Sequence, residues 1–578
     1  MAATLCTISV ILLALPSVYR GTVDVFTPTA GFCSEEYSRR DICFDAPADA
    51  SLHRGWPVNL NSPGAGFPYT PTLYDMDGNG TCEIFLTGGH TFGLSGDGSF
   101  LTGWPTEEMA YMGYATNDQM PGPSCADINN DGITEVMWSE RDWYAGSAHM
   151  WTFNGKRQDG SNLPGFPQTA PGESSNALDS PFVLGDSDGD GFLEAVTAHT
   201  LGNTGDYYRI SALDHNGDYI FTTDLDPAEN IQCIYFGDAD GNGNEEFFAV
   251  TVLSGHFRLH LLDSSGGEQA GYPVNLFSLG AGYLMFGPPV AADLDNNGDL
   301  EIILGYGINS TSYAAAVNHD GTAVTGFPIT VATGSQLFYL GLGDITDDEQ
   351  PELLAFDNQL SAGYRAWAID IATGTPLPGW PFILSDWPEG FPTVVDVNND
   401  GCQDICFVTS GGFVHGLSND GTELNGFPKT MNSGSISGAA AGDIDGDSLY
   451  ELVAATWDGW VYAWDTDGVV SENNCDWPMR GIDSRNTGIF RGAEQSGVQE
   501  ADPQVSLCIS SNPVTGSALF TVSGTACSTS VEIFDITGKR VAETTSCWTP
   551  GTDAHNGVYF ARLTGYTGTP PVKFILVR

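Results

Sequence analysis

Short apolar runs of strand length recur along this chain, and no stretch keeps a helical period of useful length. The runs are ordered around eight acidic segments. Before each segment stands a small-residue and apolar run, such as Pro288-Pro289-Val290-Ala291-Ala292 or Gly438-Ala439-Ala440-Ala441-Gly442. After it comes another, such as Ile302-Ile303-Leu304 or Leu452-Val453-Ala454-Ala455. A third run leads to an Asn-Gly or Asp-Gly pair: residues 149–153 before Asn154-Gly155, and 460–464 before Asp467-Gly468. Such pairs predict hairpin turns. A fourth element is marked Gly-aromatic-Pro, at Trp104-Pro105, Phe166-Pro167, Tyr272-Pro273, Phe327-Pro328, Trp380-Pro381 and Phe427-Pro428. One period is therefore predicted to be four short strands.

The acidic segments are nonapeptides: DMDGNGTCE from Asp75, DINNDGITE from Asp127, DSDGDGFLE from Asp186, DADGNGNEE from Asp238, DLDNNGDLE from Asp293, DITDDEQPE from Asp344, DVNNDGCQD from Asp396 and DIDGDSLYE from Asp443. They are numbered loops 1 to 8 below. Their starts are 52, 59, 52, 55, 51, 52 and 47 residues apart. Four-stranded units repeated at about this interval predict an all-β chain built as a β-propeller, because radial repetition protects sheet edges. Eight loops predict eight blades, with seven as the alternative if one divergent copy lies outside the ring. Gly55-Trp56-Pro57-Val58 precedes loop 1, and Asp476-Trp477-Pro478-Met479 follows loop 8. The pair predicts a closing blade shared by both ends of the repeat region.

Each loop reads D-x-[DN]-x-[DN]-G-x-x-E with local departures. Side-chain oxygens at positions 1, 3, 5 and 9 and a backbone carbonyl at 7 can converge on one hard cation, and Gly at 6 permits a sharp turn. An all-oxygen, carboxylate-rich set selects Ca²⁺ over Zn²⁺ or Mg²⁺. The ligands expected are Asp75, Asp77, Asn79, Thr81 and Glu83 in loop 1, and Asp127, Asn129, Asp131, Ile133 and Glu135 in loop 2. Loop 3 offers Asp186, Asp188, Asp190, Phe192 and Glu194, and loop 4 offers Asp238, Asp240, Asn242, Asn244 and Glu246. Loop 5 offers Asp293, Asp295, Asn297, Asp299 and Glu301, and loop 6 offers Asp344, Thr346, Asp348, Gln350 and Glu352. Loop 7 offers Asp396, Asn398, Asp400, Cys402 and Asp404, and loop 8 offers Asp443, Asp445, Asp447, Leu449 and Glu451. Loop 6 departs most, with Thr346 at position 3 and Glu349 in place of Gly. Loop 7 ends in the shorter Asp404, and loop 8 has Ser448 at position 6. Up to eight structural Ca²⁺ ions are expected, locking hairpins within blades.

With these motifs, residues 51–487 resemble the FG-GAP/VCBS repeat family, the calcium-loop propellers also seen in integrin α-subunits. The resemblance implies a propeller fold and calcium, and says little about biochemical activity.

The charge balance narrows the function classes. Asp and Glu number 73 against 19 Lys and Arg, a net charge of −54. A chain this acidic repels phosphate backbones and anionic membranes, which excludes nucleic-acid and lipid-surface roles. The apolar stretch from Ala2 to Leu15 is too short to span a bilayer and fits the core of a secretory signal peptide cut between Ser17 and Gly21. No other stretch is long and apolar enough to insert in a membrane. Of twelve Cys, eleven remain after Cys6 is removed, so at least one is unpaired. Cys33 could pair with Cys43 and Cys527 with Cys547, while Cys402 and Cys406 read as small core residues.

No catalytic motif is present: no G-x-S-x-G, no H-E-x-x-H, no phosphate loop between strand and helix. The enzyme alternative is a calcium-dependent polysaccharide lyase resembling rhamnogalacturonan lyases. That chemistry needs basic groups in a pit, and residues 51–487 hold only ten Lys or Arg, with Lys156 and Arg157 in a predicted turn. Non-catalytic binding of a glycan or protein ligand is the preferred expectation. Trp138, Trp143, Tyr144 and Trp151 in the second and longest period, and Trp457 and Trp460 flanking a turn in the last blade, could stack on a ligand or fill blade cores.

Residues 488–505 read as a polar linker. Beyond it, Ser511-Asn512-Pro513-Val514 opens alternating strands. A hairpin is expected over residues 531–541, and later strands over 556–563 and 573–578. This pattern predicts a small Ig-like β-sandwich. It resembles the C-terminal sorting domain of type IX secretion substrates, although Phe534 replaces the usual Tyr and the two Cys are foreign to that pattern. The expected organisation is a signal peptide at 1–21, an N-terminal segment at 22–50, a propeller at 51–487, a linker at 488–505 and a sorting-like sandwich at 506–578. The resemblance implies export by the type IX machinery through residues 506–578, to the medium or the cell surface of a Gram-negative bacterium.

Overall fold

The computed structural model describes the chain outside residues 1–18, 23–40, 45–50, 61–69, 89, 107–121, 142–150, 170–181, 202–206, 279–282, 285–286, 349, 360–362, 472–474, 491–505, 510–517, 524–530, 536–538, 545–546, 549–554, 556, 564–571 and 577–578. The signal-peptide core, Cys6, Cys33, Cys527, Trp143 and Tyr144 therefore lie outside the described residues. The described residues are all strand, turn and loop, without helix. Two compact units divide after Ser496.

The first unit is an eight-bladed propeller. Blade 1 pairs Thr72–Tyr74, Glu83–Gly88 and His90–Leu94. Blade 2 pairs Ser124–Ala126, Glu135–Arg141, Trp151–Arg157 and Gln168–Thr169. Blade 3 pairs Val183–Gly185, Glu194–Leu201, Tyr207–Leu213 and Tyr219–Asp224, and blade 4 Glu229–Gly237, Glu246–Leu253, His256–Leu262 and Val274–Ser278. Blade 5 pairs Val290–Ala292, Glu301–Ile308, Thr311–Asn318 and Ile329–Thr333. Blade 6 pairs Ser335–Gly343, Glu352–Gln359, Gly363–Asp370 and Phe382–Leu384. Blade 7 pairs Pro388–Val395, Asp404–Thr409, Phe413–Leu417 and Lys429–Thr430. Blade 8 pairs Ala440–Gly442, Leu449–Ala455 and Trp460–Val469, and takes its outer strand, Val58–Asn59, from the other end of the chain.

The core sits between blades, because each sheet buries both faces against its neighbours. Met76, Phe85 and Trp104 of blade 1 share a cluster with Val136 and Trp138 of blade 2. Clusters of the same kind join blades 2 and 3, 3 and 4, 4 and 5, then 5, 6 and 7, and 7 and 8. The ring closes where Leu73, Ile84 and Phe92 meet Ala440, Val453 and Val461. Trp138 thus belongs to the core.

The Gly-aromatic-Pro element also works between blades. The peptide before the proline is cis at Trp56, Trp104, Phe166, Tyr272, Phe327, Trp380 and Phe427. The Trp56, Trp104 and Trp380 indoles donate to carbonyls of Gly96, Gln158 and Asn419, each in the hairpin turn of the following blade. The glycine must be bare for this docking: a Cβ on Gly165 would lie 1.6 Å from the Asn216 oxygen.

Two predicted turns fall elsewhere. Asn154-Gly155 lies inside the strand Trp151–Arg157, where a Cβ on Gly155 would come 2.9 Å from Met137 Sδ, and the hairpin turns instead at Asp159-Gly160. Lys156 and Arg157 are accordingly strand residues. Asp467-Gly468 lies inside Trp460–Val469. Blade 8 receives its fourth strand from the other end of the chain, so its third strand has no hairpin to make.

Residues 476–490 do not form a blade strand. They run around the inside of the ring as a belt. The Val394 and Trp477 amides donate to one another's carbonyls, and the Ala441, Cys125, Leu184 and Phe236 amides donate to Pro478, Ser484, Arg485 and Thr487. Ile489–Phe490 then pairs in parallel with Ala291 and Ala292. Every one of these partners is on an innermost strand, close to where an acidic loop departs. A propeller's inner strands expose unpaired amides to the channel, and the belt satisfies them. Asp476 extends it to blade 6, accepting from the Asp344 amide at 2.7 Å. Trp477, Met479, Ile489 and Phe490 are buried. Asp476–Met479, expected in the shared closing blade, and Gly488–Phe490, expected in the linker, both belong to this belt.

The second unit holds two antiparallel sheets. Ser506–Ile509, Ala518–Ser523 and Cys547–Trp548 form one; Arg540–Thr544, Val531–Asp535, Gly557–Leu563 and Val572–Leu576 form the other. Val531, Ile533, Tyr559 and Ala561 are buried. No helix among the described residues is long and apolar enough to cross a membrane.

Candidate metal centres

All eight acidic loops join the first strand of a blade to its second, so the topology sets them on one rim of the ring. Each is wound by its own side chains. The position-1 carboxylate accepts from the amides at 5 and 6, as Asp75 does from Asn79 at 3.0 Å and Gly80 at 2.7 Å, and Asp127 from Asp131 and Gly132 at 3.0 and 2.7 Å. Asp186, Asp238, Asp293 and Asp396 repeat both bonds. Asp344 accepts from Asp348, and Asp443 from Gly446 and Ser448. The oxygen at position 5 accepts from the amide at 7 in all eight: Thr81, Ile133, Phe192, Asn244, Asp299, Gln350, Cys402 and Leu449. This winding points the oxygens at 1, 3 and 5 inward.

The position-9 carboxylate closes the loop from the next strand. Glu83, Glu135, Glu194, Glu301, Glu352, Asp404 and Glu451 each accept from the amide at position 2. Glu246 instead takes the Asn242 amide group at 3.1 Å, and its Oε2 is buried with no hydrogen-bond partner. Glu301 Oε1 and Asp299 Oδ1 are likewise buried without one.

Burial, reinforced by neighbouring carboxylates, pushes these groups toward the neutral form against the hydrogen bond each accepts. Glu135, Glu301 and Glu352 rise to about 7, and Asp404 and Glu451 to about 8. Glu83, Glu194 and Glu246 are raised for the same reasons.

The ligand set fits a hard cation. Oxygens of Asp186, Asp188, Asp190 and Glu194 all lie within 4.8 Å of one another, as do those of Asp238, Asp240 and Glu246, of Asp293, Asp295 and Glu301, and of Asp443, Asp445 and Glu451. Loops 2, 6 and 7 carry Asn129, Thr346 and Asn398 at position 3, and loops 1, 4 and 5 carry Asn79, Asn242 and Asn297 at position 5. In loop 6, Thr346 bonds Glu352 at 3.4 Å, and Glu349 lies outside the described residues.

Three features were not read from sequence. Position 4 is left-handed in every loop, with φ between 54° at Asn130 and 82° at Gly446. Its occupants are Gly, Asn or, in loop 6, Asp347, the residues that tolerate this region best, and that restriction was a usable signal. In loop 2, Arg157 from the third strand reaches Asp131 at 2.6 Å and Glu135 at 3.5 Å, placing a guanidinium among the expected ligands. In blade 8, His53 Nδ1 meets Asp465 at 2.5 Å, and both lie within 4.8 Å of Glu451. Nothing in the spacing of the repeat brings Arg157 or His53 to a loop.

Fold and loops together define an eight-bladed propeller with a rim of acidic, cation-fitting loops. No family model and no curated protein matches the chain. Among solved structures it is similar to the V. cholerae biofilm matrix protein Bap1, at 14% identity over 76% of this chain and 95% of that one, with a TM-score of 0.38. The Dos1 propeller is 11% identical over 73% of this chain and 98% of that one, with a TM-score of 0.41. BBS1N, in a complex with ARL6DN, is 13% identical over 60% of this chain and 92% of that one, with a TM-score of 0.38.

Among the described residues Cys125, Cys233, Cys402, Cys406 and Cys475 are free thiols. Cys406 is core, whereas Cys402 is half-buried at position 7 of loop 7. Several ionisable residues outside the loops are paired with one another. His260 is held between Glu229 and Glu268 at 2.8 and 2.7 Å, His415 meets Glu423 at 2.6 Å, and Arg365 is bidentate on buried Asp357.

Proposed function

We propose that the protein is a calcium-stabilised binding propeller that acts outside the cell on a glycan or protein ligand without transforming it. The carrying observation is the set of eight like-wound loops whose buried position-9 carboxylates are driven toward neutrality. A divalent cation would restore their ionised form. Loops 3, 4, 5 and 8 would hold it through the clustered carboxylates named above, and the ion would supply charge neutralisation and a cross-link between the first two strands of a blade. In this reading the loops are scaffold, and the opposite rim is the side free to meet a ligand.

The apolar leader at residues 2–15 and the resemblance of residues 506–578 to a type IX sorting domain support export from a Gram-negative cell. The two antiparallel sheets of the second unit are compatible with the expected Ig-like sandwich.

The test is a calcium titration by calorimetry combined with a glycan-array screen and lyase assays on pectic polymers. Saturable binding without new unsaturated ends supports the reading. Turnover of a polyuronate, or no calcium binding at millimolar concentration, overturns it.

A further inference from the structure

We infer that the rim opposite the acidic loops carries a binding site for a neutral saccharide chain, built over blades 6 to 8 around Trp457. This inference rests on the binding function proposed above and assigns its ligand class. Four connections meet here: Ser385–Trp387 into blade 7, the Ser410–Gly412 turn, residues 432–437 into blade 8, and the turn that holds Trp457. They are linked directly. The Ser410 amide donates to the Trp387 carbonyl at 2.7 Å, the Met431 amide to Gly412 at 2.8 Å and the Trp457 amide to Gly434 at 3.0 Å.

Three glycines, Gly411, Gly412 and Gly434, stand between Asp386 and Trp457. A Cβ on Gly411 would lie 2.7 Å from the Asp386 carboxyl carbon, one on Gly412 2.2 Å from the Ser433 oxygen, and one on Gly434 2.3 Å from the Ser410 oxygen. The connections are packed backbone to backbone at these glycines, of which Gly411 is exposed and Gly412 and Gly434 are buried, and Asp386 and Trp457 flank the packing. Trp457 is 45% exposed. Its ring is held in place: Nε1 donates to Ser433 Oγ at 2.6 Å, and the six-membered ring lies against Gly434.

An edge-anchored ring with a free surface is a preorganised platform that a pyranose can cover with its C–H face. Around it stand groups that bond hydroxyls. Asn432 and Asp458 are exposed, and Asp386 has one oxygen bonded to Ser385 Oγ at 2.8 Å, leaving the other for a ligand. Carboxylates beside the platform, on a chain of net charge −54, disfavour uronates and sulfated sugars. Of the other exposed large apolar residues of the propeller, Phe100, Ile133 and Ile220 belong to blades 1 to 3, Val469 and Val470 lie at the far end of the strand that leaves the Trp457 turn, and Ile383 of blade 6 stands shortly before Asp386, so the apolar surface near the site is confined to Trp457 and Ile383 among the described residues.

The test uses the full chain in millimolar calcium with a soluble β-glucan, dextran and amylose as neutral probes and polygalacturonate as the acidic one. At least one neutral polymer is expected to bind, and Trp457→Ala to weaken it about tenfold, the loss of one stacking contact. Asp386→Ala should weaken it less, and polygalacturonate should not bind. The bound polymer should also protect Trp457 of the unaltered protein from N-bromosuccinimide, read by mass spectrometry; this arm serves even if the variant does not fold. Binding that ignores Trp457 overturns the site but leaves the binding function standing. A protein ligand found while all three neutral polymers fail overturns the ligand class. Polygalacturonate binding through Trp457 overturns the charge argument and with it the proposal.

Discussion

Chelating calcium from the propeller is expected to reverse the sign of its pH dependence. The five carboxylates at position 9 of loops 2, 5, 6, 7 and 8 sit at about 7 to 8 in the folded chain. Unfolded, they return to about 4. Their folded pKa is raised, so between these limits the native state keeps protons that the unfolded state has lost. Their contribution to stability without cation is full below about pH 4 and is lost as pH rises through 7 to 8, so it is larger at pH 5 than at pH 8. The slope reaches about 1.4 kcal/mol per pH unit for each such group. Even a fraction of five such terms is large against a total of about 5–15 kcal/mol. A cation at a hundred times its Kd adds about 2.7 kcal/mol per site and favours the ionised form. Scanning calorimetry at pH 5 and pH 8 checks this. With chelator, Tm should be higher at pH 5; with millimolar calcium, it should be higher at pH 8. Self-repulsion of the acidic chain acts in the same direction without calcium, so Glu451→Gln separates the two. It removes the buried charge, and should raise Tm at pH 8 in chelator yet lower it in calcium. A chelated Tm that rises from pH 5 to pH 8, or a Glu451→Gln effect of one sign in both buffers, would refute the reasoning.

Four further outcomes are expected. Arg157→Gln frees Asp131 and Glu135, so loop 2 should take calcium more tightly, seen as an added or strengthened site in isothermal titration. Arg365→Met strands Asp357, which is fully buried, and should cost about 3–5 kcal/mol in urea unfolding. Gly165→Ala combines a clash with the Asn216 carbonyl and a φ of +90°, the backbone alone costing about 1–3 kcal/mol, and should lower the calcium-loaded Tm. A chain ending near Gly492 keeps the belt and should melt cooperatively, yet in a type IX host it should accumulate in the periplasm; its appearance in the medium would remove the case for residues 506–578 as an export address.

The propeller was legible because its evidence is periodic. Eight acidic loops at near-constant spacing, flanked by runs of strand length, leave few architectures, and an aromatic-Pro pair directly precedes the outer strand at Phe166-Pro167, Tyr272-Pro273, Phe327-Pro328, Trp380-Pro381 and Phe427-Pro428. The sharp winding of the acidic loops was legible for the same reason: winding within nine residues is local, and local geometry is written in local residue types. What escaped was non-periodic or long-range. Asn154-Gly155 has the composition of a turn, but its register is set by packing against Met137. Arg157 enters loop 2 from a strand that the ligand pattern does not include. The belt has no repeat at all. Its Trp-Pro pair resembles the outer-strand motif, so sequence assigns it to a blade, while its hydrogen bonds depend on seven inner strands being gathered around it.

The belt also decides when the molecule can become itself. Contacts that finish the ring join residues far apart in the chain: His53 with Asp465, 412 residues on, Thr70 with Gly438, 368 on, and Asn486 with Ser124, 362 back. Contacts of such separation form late, because loop closure must come before any contact rewards it. Seven blades can be made and still lack their shared inner lining until residue 490 is available. A chain threaded through a membrane from its N-terminus therefore cannot complete the channel side of the ring while its last propeller residues are still inside. In the export proposed above, the segment that seals the inner edge would be the last of the propeller to leave, so the ring would gain its inner lining only after the passage.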